Sequence, residues 1–395
     1  MTIDILCKVV DNFGDIGVVF RLARALRDAD PKLELRLIVD DLASFAALEP
    51  ALDPDLAVQD LGAWKLIRWD FPWEGFRDER PRFILETFSC GRPEWLDELL
   101  FDPEDLATKH ILNIEHLSAQ EYAQDFHRLP SATRSARVKK WFFMPGFTEK
   151  TGGLTIDRAF AVARETFLDP RSRAAARFSA LASAGLPAEA EYERHLWVSV
   201  FSYEQDYGAI VEDLAVFSRA RPLLVLAASG KSQACFRRAW ENAEKPFPLL
   251  CLPFLDQATW DSVLLASDFA IVRGEESLSR AALSGRPFLW QAYVQEEKHQ
   301  LVKVRALLDR MRPFFDPSAF EPLERLFLAF NDREGDSPEQ SGGEKLLPFL
   351  EALPALAPGF RAFSEKLFAY GDFAEKLLAF LKNPCAKEPD GRDWA

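Results

Sequence analysis

The chain has 395 residues, 48% of them hydrophobic, enough to bury the cores of two domains or three. Aspartate and glutamate number 62 against 48 lysines and arginines, a formal net charge of −14. That balance argues against a general nucleic-acid binder, which needs a basic face, and suits an enzyme that handles a cationic acceptor.

No apolar run approaches membrane-spanning length. Asp4 interrupts the N-terminus, which lacks a basic region followed by a longer apolar segment, so a cytoplasmic protein is expected, with no membrane partner. The five cysteines (Cys7, Cys90, Cys235, Cys251, Cys385) form no CxxC pair, and Cys7 and Cys251 lie in apolar runs as small core residues. The five histidines make no HxxxH or HxH spacing, and no metal is expected.

Ile3 to Val10 reads as a buried parallel strand, Asn12, Gly14 and Gly17 supply turn chemistry, and Ile16, Val19, Phe20, Ala23 and Leu26 recur at helical spacing. Asp11 and Asp15 thus flank a glycine turn at the carboxyl end of the first strand, where open α/β sheets bind ligands. Asp15 as a helix cap is the simpler alternative. Further strands are expected at Leu33–Val39, Ala57–Leu61, Arg82–Glu86 and His110–Ile114, with Asp41 capping a helix near Leu42. Lys139 to Leu154 looks like a last strand followed by a loop hanging over a cleft.

Helices are expected over Asp157–Phe167 and Arg171–Ala184, the second stopped by Gly185-Leu186-Pro187. The strand–helix rhythm then repeats, with strands at Leu196–Phe201, Leu223–Ala227, Leu249–Leu252, Asp268–Val272 and Pro287–Gln291. Arg333 to Gly343 reads as a mobile loop, and Phe363 to Leu381 as a terminal helical region.

Two constellations carry chemistry in this second half. Arg273-Gly274-Glu275-Glu276-Ser277 follows a strand and opens a helix, a place for a phosphate at the helix N-terminus with Arg273 adding a charged contact. A carboxylate there suits a ribose or sugar hydroxyl; acidic first-turn capping is the alternative. Phe201, Tyr203, Phe254 and Gln257 also sit just after strands, where aromatics can sandwich a nucleobase and Gln257 can read its edge, or simply pack the core. Ala228-Ser229-Gly230-Lys231-Ser232 is not a P-loop, because Val225 stands where the motif needs glycine. No GxSxG or cysteine–histidine signature appears.

Asp11-Asn12-Phe13-Gly14-Asp15-Ile16-Gly17 followed by Arg21-Leu22-Ala23-Arg24 resembles the start of the protein-arginine rhamnosyltransferase family, EarP. Pro145-Gly146-Phe147-Thr148, Lys150-Thr151-Gly152-Gly153-Leu154, Leu252-Pro253-Phe254-Leu255 with Gln257, and Arg273-Gly274-Glu275 extend the resemblance in family order through most of the chain. It implies a GT-B fold: two Rossmann-like domains facing a cleft. These are expected as an acceptor domain over 1–170, a donor domain over 171–360, and a helical region over 361–382 crossing back to the first. It also implies inverting, metal-independent transfer of rhamnose from dTDP-β-L-rhamnose to one arginine of translation elongation factor P, with no cofactor, in support of ribosomes stalled at polyproline. Catalytic roles fall on Asp11, Asp15 and Glu275. Donor contacts fall on Asn12, Phe13, Gly14, Asp15, Tyr203, Gln257, Arg273, Gly274, Glu275, Glu276 and Ser277, beside Phe201 and Phe254.

The chain departs from the family pattern at Glu276, at Leu278-Ser279 and at Val294-Gln295-Glu296-Glu297, with charge largely intact. A guanidinium is a weak nucleophile with a pKa above ~12, so a carboxylate does not deprotonate it beforehand. The expectation is that Asp15 aligns one nitrogen and accepts a proton as the bond forms, while Asp11 holds the turn or shares the cation. Alternatives are another nucleotide-sugar GT-B transferase acting on a small molecule or glycan, and a non-catalytic protein that binds the elongation factor.

Overall fold

The strand β1 (Thr2–Cys7) is largely apolar, and all but its first residue is buried, because the parallel sheet around it is covered on both faces; its buried acid, Asp4, is paired with Arg36 at 2.6 Å. The computed structural model describes residues 1–10, 13–332 and 345–383. The loop expected over 333–343 lies outside the described residues, as do Asp11, Asn12 and Cys385. The chain divides into two compact units, Met1–Arg158 with Tyr370–Ala395, and Ala159–Ala369.

In the first unit β1 is joined by β2 (Glu34–Val39), β3 (Val58–Asp60), β4 (Lys65–Arg68), β5 (Phe83–Thr87), β6 (Lys109–Ile114), β7 (Pro130–Ser131) and β8 (Val138–Phe143). The sheet order is β3-β4-β2-β1-β5-β6-β8-β7. All neighbours are parallel except the two edge pairs, β3 with β4 and β7 with β8. Leu6 lies in register with Ile38 on one side and with Glu86 on the other. The chain builds outward through β2 and β4, then returns to add β5, β6 and β8 on the opposite side. The strand order therefore reverses between β1 and β5, the switch point at which doubly wound sheets form a crevice. Ile16, Val19, Ala23 and Leu26 of the helix Phe13–Ala29 pack on one face of the sheet, together with Phe373, Leu377 and Leu381 of the helix Phe373–Lys382. Phe76, Leu96 and Leu100 cover Leu6, Ile38, Ile84 and Ile111 on the other.

The segment expected to hang over a cleft is a buried seam. Thr151 to Leu154 are all buried. A Cβ on Gly152 would stand 2.7 Å from the Phe373 ring, and Gly153, at φ +80°, passes 2.8 Å from the Gly371 carbonyl in the same sense. The Phe373 N–H donates to the Leu154 carbonyl at 3.0 Å, and Lys376 Nζ to the Thr151 carbonyl at 3.1 Å. The glycine pair is a docking seat for the last helix.

In the second unit β9 (Leu196–Val200), β10 (Leu223–Ala227), β11 (Leu249–Cys251), β12 (Phe269–Arg273) and β13 (Phe288–Gln291) form a parallel sheet in the order β11-β10-β9-β12-β13. Its order reverses between β9 and β12. The units change at 158/159 and 369/370, which differs from the expected boundaries at 170/171 and 360/361. The helix Arg158–Leu168 goes with the second unit because the buried Arg164 donates to the Leu283 carbonyl at 2.9 Å and to Ser364 Oγ at 3.1 Å. The helix Leu347–Ala369 runs unbroken through position 360, and the chain turns only at Gly371, whose φ of +90° suits glycine.

Candidate active site

The first sheet edge is organised by carboxylates. Gly14 and Asp15 stand in the first turn of the helix Phe13–Ala29, directly after β1, and Asp15 is half-buried. Asp15 Oδ2 accepts from the Val10 N–H at 2.9 Å, so the carboxylate reaches back across the turn and is fixed by it. Asp40, at the end of β2, accepts from the Val9 N–H in the same way at 2.9 Å. The Val10 N–H lies before the helix, so this bond orients the Asp15 carboxylate without capping a helix N–H.

No thiol competes as a nucleophile at this edge. Cys90 Sγ lies 3.6 Å from the Leu6 carbonyl, and burial pushes its thiol up to about 11. Burial raises Cys7 further.

The second edge is organised by a cation. The Arg273 guanidinium lies 4.8 Å from the centroid of the Phe201 ring and 4.7 Å from that of Tyr203. Register explains the meeting: Ile271 pairs with Val200 in the adjacent strand, and the Phe201 N–H donates to the Ile271 carbonyl at 2.8 Å. The guanidinium thus lies over one face of each of the two rings expected to hold a nucleobase. Such contacts contribute ~0.5–2 kcal/mol each and keep a long side chain from sweeping freely.

Gly274 follows with φ +65°, a value that favours glycine, and its carbonyl accepts from Trp290 Nε1 at 2.9 Å. The helix opens at Gly274, with Arg273 as its first flanking residue. Glu275 is half-buried in its first turn and Ser277 is buried. Glu276 lies 3.8 Å from Nε of the buried Arg280, one turn on, so its charge is balanced within the helix.

Asp256 caps the helix Gln257–Ala266, accepting from the Thr259 N–H at 2.9 Å, and this places Gln257 at the sheet edge. Trp260, one turn on, meets the Phe201 ring edge-on at 5.3 Å and so links Gln257's helix to the aromatic pair. Phe254 is exposed in the connection just before.

Gln291 is a residue that the sequence reading missed. It is buried at the end of β13, in register with Arg273, and its Oε1 accepts from the Tyr203 N–H at 2.8 Å and from Ser202 Oγ. It fixes the loop that carries Tyr203. The available signal was a lone amide closing the apolar strand Phe288-Leu289-Trp290. Among the described residues, no three His, Cys, Asp or Glu side chains converge as a metal ligand set. Among them, too, no helix is long and apolar enough to cross a membrane.

A family model described as Elongation-Factor P (EF-P) rhamnosyltransferase EarP matches residues 3–382. The chain belongs to the EarP family. A protein-arginine rhamnosyltransferase of Pseudomonas aeruginosa is 34% identical over 355 residues, covering 87% of this chain and 91% of that protein. One from Shewanella oneidensis is 30% identical over 395 residues, covering 96% and 97%. A solved structure described as the structural basis for EarP-mediated arginine glycosylation of translation elongation factor EF-P superposes with a TM-score of 0.61 at 24% identity, over 97% of this chain and 99% of that one. The fold is accordingly that of EarP and the GT-B glycosyltransferases.

Proposed function

We propose that this EarP-family chain transfers rhamnose from dTDP-β-L-rhamnose to an arginine side chain of translation elongation factor P. The supporting observation is family membership over nearly the whole chain, joined to two sheet edges of opposite chemistry. The first unit, rich in carboxylates at its edge, takes the acceptor. The second, with a cation and a helix N-terminus at its edge, takes the donor.

Arg273 and the first N–H groups of the helix Gly274–Ser284 meet the donor diphosphate and stabilise the charge that grows on it as the anomeric C–O bond breaks. The Glu275 carboxylate accepts from sugar hydroxyls and is essential to turnover. Phe201, Tyr203 and Gln257, with Phe254, hold the thymine base, and Gly274, Glu276 and Ser277 shape the phosphate turn. Asn12, Phe13, Gly14 and Asp15 complete the donor contacts.

On the acceptor side, Asp15 pairs with the guanidinium, points one nitrogen at the anomeric carbon, and takes its proton as the C–N bond forms. Asp11 shares the cation. The nitrogen enters opposite the departing diphosphate, so the anomeric configuration inverts. The guanidinium, the base and the phosphate turn supply every charge the step needs, and neither metal nor cofactor takes part. The acceptor is a translation factor, which places the enzyme in the cytoplasm and its product at ribosomes stalled on polyproline.

Incubation with dTDP-rhamnose and elongation factor P, followed by intact mass and fragment analysis, tests this reading. The expected result is one rhamnosyl mass increment on a single arginine. Turnover only on a glycan or small molecule, or binding without turnover, overturns it.

A further inference from the structure

The exposed apolar residues of the first unit are gathered at one edge of its sheet. Among the described residues, every exposed large apolar side chain of this unit except Met1 and Leu106 lies at the carboxyl ends of the strands, where Asp15 stands. Val10, 90% exposed, follows β1, and its N–H is the one that braces Asp15. Phe71 turns over the end of β4, its N–H donating to the Arg68 carbonyl at 3.0 Å. Leu56 directly precedes Ala57, whose carbonyl accepts from the Arg68 N–H at 2.8 Å. Tyr122 and Phe126, each 43% exposed, stand on the opposite side of Asp15, beyond β6 and β8.

This last pair is held without being covered. Ser118 bridges to Gly146 just after β8, and the Arg128 N–H donates to the Phe142 carbonyl at 2.7 Å, so both flanks of the short helix Tyr122–Phe126 are tied to the end of β8. The Phe126 ring meets Phe142 edge-on at 5.9 Å, and Tyr122 meets Phe126 edge-on at 6.3 Å. Ordered aromatic rings left in water are the side chains that gain most when another protein covers them, because little rotamer freedom remains to be lost. Glu121 and Asp125 are exposed beside the pair, and Asp40 is exposed nearer to Asp15.

We propose that this edge is the docking surface for the body of the acceptor protein, with Tyr122 and Phe126 as its anchor and Val10, Leu56 and Phe71 on the other side of Asp15. Two observations select that occupant. The surface is continuous with the acceptor acid, since Val10 carries both an exposed side chain and the N–H that holds Asp15. Its apolar groups are set among carboxylates, which suits a protein surface around a cationic arginine and repels a second copy of this chain, whose net charge is −14. The inference rests on the arginine-transfer reading above and adds how a protein, rather than a small molecule, is held.

The full-length enzyme carrying Tyr122→Ser and Phe126→Ser together is compared with wild type on elongation factor P, and on a factor whose modified arginine is replaced by alanine, which isolates docking from the reacting group. Expected are a KM for the factor raised ~10-fold or more with kcat within about twofold, a Kd for the alanine factor raised by the same ratio, and an unchanged Kd for dTDP-rhamnose. Phe71→Ser, on the other side of Asp15, should raise the same KM and Kd ~3-fold, and it decides alone if the double variant lowers Tm. An unchanged KM in both variants, or a raised KM with an unchanged Kd for the alanine factor, overturns the inference and leaves the transfer reading intact. So does a wild-type dimer in sedimentation that the double variant abolishes, which assigns the face to a second copy. A wild-type enzyme that neither binds nor modifies the factor overturns both.

Discussion

The first sheet reverses its strand order between β1 and β5 and the second between β9 and β12, yet the two switch points carry opposite charge. After β1 the chain places Asp15, braced by the Val10 N–H. After β9 and β12 it places Phe201 and Tyr203 against the Arg273 guanidinium. The backbone plan is shared, so topology alone says only where a ligand sits. The side chains say which ligand: a carboxylate edge suits a guanidinium, and an aromatic-braced cation beside a helix N-terminus suits a diphosphate.

The sharpest way to break this contrast is at Glu275, the acid on the cationic edge. As a first-turn acid it is worth at most about 1 kcal/mol of helix stability. As a hydroxyl-gripping residue it is worth far more in rate. Glu275→Ala is expected to keep its Tm within a few degrees and to lose ~10²-fold or more in kcat. Near-wild-type kcat would return Glu275 to a capping role.

A smaller effect is expected from Arg273→Lys, which keeps the charge but cannot stack between two rings or present a planar fork. Donor Kd should rise ~10-fold, with elongation-factor binding unchanged. An unchanged donor Kd in calorimetry would show that charge alone matters at this edge.

The smallest effect concerns acid stability, and it belongs to the first unit. His127 is buried, and its Nδ1 accepts from the Met144 N–H at 3.2 Å, which requires a neutral ring. Burial, with Arg128 and Lys376 nearby, lowers its pKa from the ordinary 6.5 to about 3. The unfolded chain takes up a proton there that the folded chain refuses. The contribution is whole above 6.5 and is lost as pH falls toward 3, by up to ~1.4 kcal/mol per pH unit. Between pH 7 and 5 the Tm of wild type should fall more than that of His127→Gln, whose amide oxygen accepts the same N–H at any pH. Parallel slopes would contradict this.

Much of the fold was legible because parallel strands buried on both faces leave apolar runs, as in Leu223–Ala227, and because Asp41 caps its helix through the Ser44 N–H as its position suggests. Lys65–Arg68 was missed because a short strand with cationic ends shows neither an apolar run nor alternation. The break at Gly371 was missed because apolar residues keep helical spacing across it. Gly152-Gly153 read as a loop because its partner, Phe373, is distant in sequence. At the site, Arg273, Tyr203 and Glu275 announce themselves by following strands. Gln291 does not, because its role depends on which strand ends the sheet order brings together.

The central claim is that the acid after β1 acts on the acceptor. Asp15→Asn tests it most directly, since asparagine keeps the size and still accepts from the Val10 N–H, while losing the charge and the proton acceptor. The account predicts an unchanged Tm, retained binding of dTDP-rhamnose and a rate on elongation factor P lower by ~10²-fold or more. Wild-type turnover by Asp15→Asn would contradict it.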